Sequence, residues 1–138
     1  MATLKTNTLT GTSTAGSIAV TGEGNSTTTN LQQGLCKAWS QFDGTDSGAA
    51  ARDSFNVSSM TDNSEGNHTV TYNNDFASTN TLTASGNGGQ FSGASGNNLF
   101  IFHKTIATGS IIVQVQVASS GSNADQTYIC HLAHGDLA

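Results

Sequence analysis

Alternation of apolar and polar side chains marks a series of short segments as β-strands, because side chains on a strand point to opposite faces with a period of two. The clearest is Ser110 to Val117, with Ile111, Val113, Val115 and Val117 facing one way and Gln114 and Gln116 the other. Gly34 to Phe42 places Cys36, Ala38, Ser40 and Phe42 on one side and Leu35, Lys37, Trp39 and Gln41 on the other. Ser54 to Ser58 puts Phe55 and Val57 on one face. The turn formers Asp62-Asn63-Ser64-Glu65-Gly66-Asn67 then separate it from His68 to Tyr72, a hairpin in which Val70 and Tyr72 share a side. A weaker strand over Thr79 to Ala84 is ended by Gly86-Asn87-Gly88-Gly89, ahead of a short segment at Gln90 to Ser92. Leu99 to His103 is a continuous apolar run, which predicts a strand buried on both faces. After a turn at Ser119 to Asn123, Thr127 to Ala133 closes the domain with Tyr128, Cys130 and Leu132 on one face.

Residues 1–30 differ from the rest. They are Thr-rich, with strand candidates only at Leu4 to Leu9 and Ser17 to Thr21 around a Gly11 to Gly16 turn region, and have too few large apolar residues for a core. They read as an N-terminal arm for docking or subunit exchange, followed by one domain over 31–138. The only helix-like stretch, Leu31-Gln32-Gln33-Gly34-Leu35, is short and broken by glycine. The expected fold is all-β: an antiparallel sandwich or jelly-roll-like domain of about eight strands, with a barrel left open as an alternative.

Composition sharpens this. Only 9% of the 138 residues are charged, against roughly 25% in an average soluble domain. Sixteen glycines with no proline suit many tight turns. The net charge is −5 and the four basic residues Lys5, Lys37, Arg52 and Lys104 are scattered, so no basic patch exists to neutralise phosphates and direct nucleic-acid binding is not expected. Neither a signal-peptide h-region nor an apolar run of membrane-spanning length occurs, which predicts a soluble chain made in the cytoplasm, without membrane insertion. In that setting Cys36 and Cys130 are expected as reduced thiols packed as small hydrophobes.

Candidate chemistry is sparse. His131 and His134 are three apart, which on a strand sends them to opposite faces, and His68 and His103 lie in separate strands with no carboxylate or thiol motif beside them. Ordinary polar or core histidines are therefore expected, a metal site across a symmetry axis being the alternative. Asp43-Gly44-Thr45-Asp46 and Asp62 to Glu65 lack the spacing of a calcium loop and read as turns. Cys130 and His131 are neighbours on a strand and so face apart, and no G-x-S-x-G elbow occurs. No enzymatic activity and no cofactor are expected. Asn25, Asn56 and Asn67 begin N-glycosylation patterns that chance explains in a chain this rich in Asn and Thr.

The run from Gly34 through Lys37-Ala38-Trp39-Ser40-Gln41-Phe42-Asp43-Gly44-Thr45, then Arg52-Asp53-Ser54-Phe55-Asn56-Val57-Ser58-Ser59-Met60-Thr61-Asp62-Asn63 and the strand His68 to Tyr72, resembles a module of tail-fibre-like proteins of marine and freshwater bacteriophages. The match covers residues 34–76, and Thr3 to Leu9 and His134 to Ala138 also look like the termini of such proteins. Ser40 stands where the family carries an apolar residue, and the chain is far shorter than a long fibre. The resemblance implies a virion component without enzymatic activity, homotrimeric, made in the host cytoplasm and held to other virion proteins through its arm. A tail-fibre or spike subunit is the first expectation and a capsid decoration protein the second. A soluble carbohydrate- or metal-binding module is the third. Contacts to a host-surface glycan are expected from the loops Gly44 to Gly48, Asp62 to Asn67 and Gly86 to Asn98, with Asp43, Asp46, Asp62, Asn63, Glu65, Asn67, Asn87 and Asn97 as candidate residues.

Overall fold

A computed structural model describes residues 3–13, 18–21, 27–47, 49–89 and 99–138. The chain divides into two compact units, Met1–Leu35 and Cys36–Ala138. In the first, strands β1 (Ala19–Thr21) and β2 (Thr28–Asn30) form an antiparallel pair. A single helical turn, α1 (Leu31–Gly34), follows, and the Leu31 amide donates to the Ile18 carbonyl at 2.8 Å. Every residue of both strands is exposed, as are Leu4, Leu9 and Val20. Leu4 to Leu9 is not a strand. Its threonines bond locally instead, Thr6 Oγ1 donating to the Thr8 carbonyl at 2.6 Å.

The second unit is a sandwich of two four-stranded antiparallel sheets rather than a barrel. One sheet has the order β4-β3-β10-β7, from β3 (Ala38–Phe42), β4 (Ala51–Phe55), β7 (Thr83–Gly89) and β10 (Tyr128–His134). The other runs β5-β6-β9-β8, from β5 (Val57–Ser64), β6 (Asn67–Tyr72), β8 (Leu99–Ile106) and β9 (Ser110–Val117). The core lies between them: Ala38, Phe42, Ile129 and Ala133 from the first sheet meet Val70, Tyr72, Ile111, Val113 and Val115 from the second, with Phe76 and Leu82 from the intervening loop.

Several local readings change once the sheets are paired. Phe55 and Val57 do not share a face, because Asn56 between them takes a left-handed conformation (φ 56°) and sends β4 and β5 to different sheets. Asparagine tolerates this geometry because its short side chain bonds locally. Asn56 Oδ1 accepts from the Asn74 amide at 2.8 Å and from Asn74 Nδ2 at 3.0 Å, and Asn56 Nδ2 donates to the Asn74 carbonyl at 3.1 Å. The β5–β6 turn is tighter than its composition suggests, with only Glu65 and Gly66 between the paired Ser64 and Asn67.

Strand β7 runs through the glycines expected to end it. A Cβ on Gly86 would stand 2.9 Å from Ile101 Cγ2, and one on Gly88 3.1 Å from Ile101 Cδ1, so these glycines let β7 approach β8 closely. Leu99 to His103 is buried on one face only: β8 is an edge strand, and Phe100 and Phe102 are 55% and 44% exposed. Along β10 the core face is Ile129, His131 and Ala133, while Tyr128, Cys130 and Leu132 lie on the outer face. Cys130 is therefore exposed instead of packed. It pairs with Gln41, well along β3 from Cys36, and both thiols are free.

Ser40 faces the core between Ala38 and Phe42 with its hydroxyl lacking a hydrogen-bond partner. A buried hydroxyl left unsatisfied costs about 1–3 kcal/mol. Ser40→Ala is expected to stabilise the domain by about 1 kcal/mol, seen as a higher urea midpoint with an unchanged m-value; a lower midpoint would mean that the hydroxyl is satisfied in solution.

Candidate functional site

Titratable groups concentrate first in the core. His131 of β10 bridges the sheets: its Nε2 shares a hydrogen bond with Tyr72 Oη at 3.1 Å and its Nδ1 one with His103 Nε2 at 3.1 Å. Tyr72 belongs to β6 and His103 to β8, so the chain of three joins both strands of one sheet to the other. Burial pushes His131 down to about 3, assisted by the neighbouring His103, and burial also lowers His103. Burial raises Tyr72 above the ordinary tyrosine range. All three stay neutral near pH 7, which suits a hydrogen-bonded tie.

His68 of β6 is buried edge-on against Phe42, with ring centroids 5.2 Å apart. No carboxylate motif flanks it along the chain, yet Asp62 Oδ1 lies 3.7 Å from its Nδ1 and Asp125 Oδ1 3.8 Å from its Nε2. Asp62 reaches it through the β5–β6 register, and Asp125 through a loop whose carboxylate accepts the Gly66 amide at 2.6 Å. Burial lowers the His68 pKa against the opposing pull of both carboxylates. The ring is thus mainly neutral near pH 7 and these contacts are dipolar. Among the described residues no group of three or more His, Cys, Asp or Glu is placed to hold a metal ion.

The loop candidates separate into different environments. Asp62 and Asn63 lie within β5, Asp62 half-buried toward His68 and Asn63 donating from Nδ2 to Thr69 Oγ1 at 2.8 Å. Glu65 is exposed at the turn, and Asn67 opens β6. Asp46 is exposed in the β3–β4 loop. Asn97 and the part of its loop over 90–98 lie outside the described residues, as do Gly48 and Asn25. Asn87 is a strand residue paired with Cys130.

Asp43 leads to a surface feature that the loops did not suggest. Its carboxylate accepts from Thr45 Oγ1 at 2.6 Å and pairs with Arg52 Nη2 at 2.6 Å. The Thr45 hydroxyl, then its amide and Arg52, hold Asp43 below the usual carboxylate range. Arg52 sits at the β-bulge that offsets β4 from β3, donates to the Thr127 carbonyl, and lies 4.3 Å from the centroid of the Tyr128 ring. On the outer face beside Tyr128 is an open groove of about 230 Å³ lined by Asn87, Gly88, Gly89, Tyr128 and Cys130. Asp43 and Asn87 thus share one face, linked through Arg52 and Tyr128. The sequence hid Arg52 and Tyr128 because they lie in strands and only the cross-strand register puts them outside.

Comparison with protein-family models, with curated proteins and with solved structures finds no match. No helix among the described residues is long and apolar enough to cross a membrane.

The buried histidines generate a pH dependence. Their folded pKa values lie below the unfolded value of about 6.5, so the unfolded chain binds more protons as pH falls through that value, and stability drops. Urea midpoints are expected to be level above about pH 7 and to fall steadily from about pH 6.5 toward pH 4. A His131→Gln variant should fall less steeply over the same window, and an equal slope would show that His131 does not titrate on unfolding.

Proposed function

We propose that the chain is a non-catalytic subunit of a phage particle, of tail-fibre or spike type, which assembles as a homotrimer and displays its sandwich toward the host surface. The observation that carries this reading is the outer side of β8. Phe100 and Phe102 are 55% and 44% exposed on an edge strand, and the two phenyl rings stand 6.0 Å apart. Apolar side chains gathered at a sheet edge are a liability for an isolated subunit and an asset for one covered by neighbours.

Two further features support it. The first unit exposes both its strands and Leu4, Leu9 and Leu35, as suits a segment that gains its packing from a partner. Two of the four histidines, His103 and His131, are committed to a tie between the sheets. The exposed first unit also favours a second reading, a decoration protein that ties capsomers by its arm.

The test is the mass of the purified chain by light scattering. A trimer is expected for the native chain and monomers for a Phe100→Ser, Phe102→Ser double variant of unchanged melting temperature; a native monomer, or a trimer indifferent to the variant, would remove the β8 argument. Antibody labelling of virions then separates the two locations, with tails decorated in the fibre reading and heads in the other.

A further inference from the structure

The outer face of the β4-β3-β10-β7 sheet is ordered in rows by its register. Phe55, Trp39, Leu132 and Ser85 align across the four strands. One step along come Asp53, Gln41, Cys130 and Asn87. One step further Tyr128 stands beside Gly89, with Arg52 against its ring. Aromatic groups therefore flank a strip of amides and one carboxylate. Trp39 aligns with Leu132, four residues from Tyr128, a span of roughly 13 Å at the rise of an antiparallel strand.

We infer that this face binds a neutral oligosaccharide, with one pyranose lodged in the groove against Tyr128 and Gly89 and the rest of the chain lying past Asn87 and Gln41 toward Trp39. Three observations select this ligand class. The groove, at about 230 Å³, is smaller than the roughly 300–1,000 Å³ of a drug-sized pocket and suits a single ring. A pyranose has an apolar C–H face and a rim of hydroxyls, matching a ring wall next to groups that both donate and accept hydrogen bonds. Charge argues against an acidic sugar: Arg52 is engaged by Asp43 and by the Thr127 carbonyl, and the exposed Asp53 adds a negative group to a chain of net charge −5.

Gly89 keeps the groove open. A Cβ at this position meets nothing within 4 Å among the described residues, so a larger side chain there fills the groove without disturbing the core. Gly88 faces inward against Ile101, and a Cβ there would crowd it at 3.1 Å.

This inference rests on the reading of the chain as a displayed surface protein, and its test has a separate readout. Trp39 is the sole tryptophan, so its fluorescence reports on this face. The native assembly is titrated with neutral oligosaccharides of glucose, galactose and mannose, and with uronic- and sialic-acid oligosaccharides, with calorimetry in parallel. Binding of at least one neutral series in the micromolar to millimolar range is expected, with acidic probes weaker. Gly89→Val and Tyr128→Ala should each weaken it about tenfold or more. Gly89→Val should keep the native melting temperature, which guards against a Tyr128 variant that merely unfolds. The Phe100→Ser, Phe102→Ser variant should retain the intrinsic affinity of each subunit. The inference fails if no neutral probe binds, if acidic probes bind more tightly, or if binding survives Gly89→Val. It also fails if Gly89→Val lowers the oligomeric mass, since the face would then be a subunit interface. Loss of the trimer with intact sugar binding would overturn the assembly reading and leave this one standing.

Discussion

One residue in a left-handed conformation divides the second unit into its two sheets. From Ala51 to Ser64 the chain is strand on both sides of one residue, and only Asn56 interrupts it. The corner is fixed on its far side by Asn74, beyond β6, so β4 leaves one sheet while β5 enters the other against β6. A residue with an ordinary β-branched side chain would pay a steric cost at that φ and would also lack the amide that grips Asn74. Once β4 and β5 are separated, the rest of the topology can close over one core, with β10 returning between β3 and β7.

The core that results is apolar but contains imidazoles. Neutral rings can be buried if their nitrogens find partners, and the Tyr72–His131–His103 chain supplies them across the interior. His68 is treated differently. It packs against Phe42 and is flanked by two carboxylates at distances longer than a hydrogen bond. Gly44 makes room for it: a Cβ there would stand 2.8 Å from His68 Nε2 and 2.6 Å from Ile129 Cδ1. Polar groups in such a core are costly when mismatched and so favour one alignment of the sheets over slipped ones.

The sequence made the all-β class and the strands of the central pairs legible because their alternation is clean. Ser110 to Val117 has Ile111, Val113 and Val115 buried as its pattern requires, and His68 to Tyr72 buries Val70 and Tyr72. Faces were not legible where both sides carry apolar groups. Tyr128-Ile129-Cys130-His131-Leu132-Ala133 offers two plausible core faces, and pairing with β3 decides between them. Glycine misled in β7, since the same residues that end strands also let two strands approach closely. The groove escaped detection for a related reason: its wall is an aromatic strand residue and its floor is backbone. The histidine ties join residues 59 and 28 positions apart, which no local pattern encodes.

The irregularity in β8 bears on whether an exposed sheet edge can recruit further strands. Thr105 adopts φ 49°, and the ladder to β9 shifts register between Lys104 and Ile106. A β-branched residue in that conformation bends the strand, and a bent, bulged edge is a poor template for adding another strand by backbone hydrogen bonds. Phe100 and Phe102 then stand exposed on the strand's side-chain face while continuous sheet growth from chain to chain is discouraged. The kink separates stickiness of side chains from stickiness of backbone, a safeguard against amyloid-like stacking.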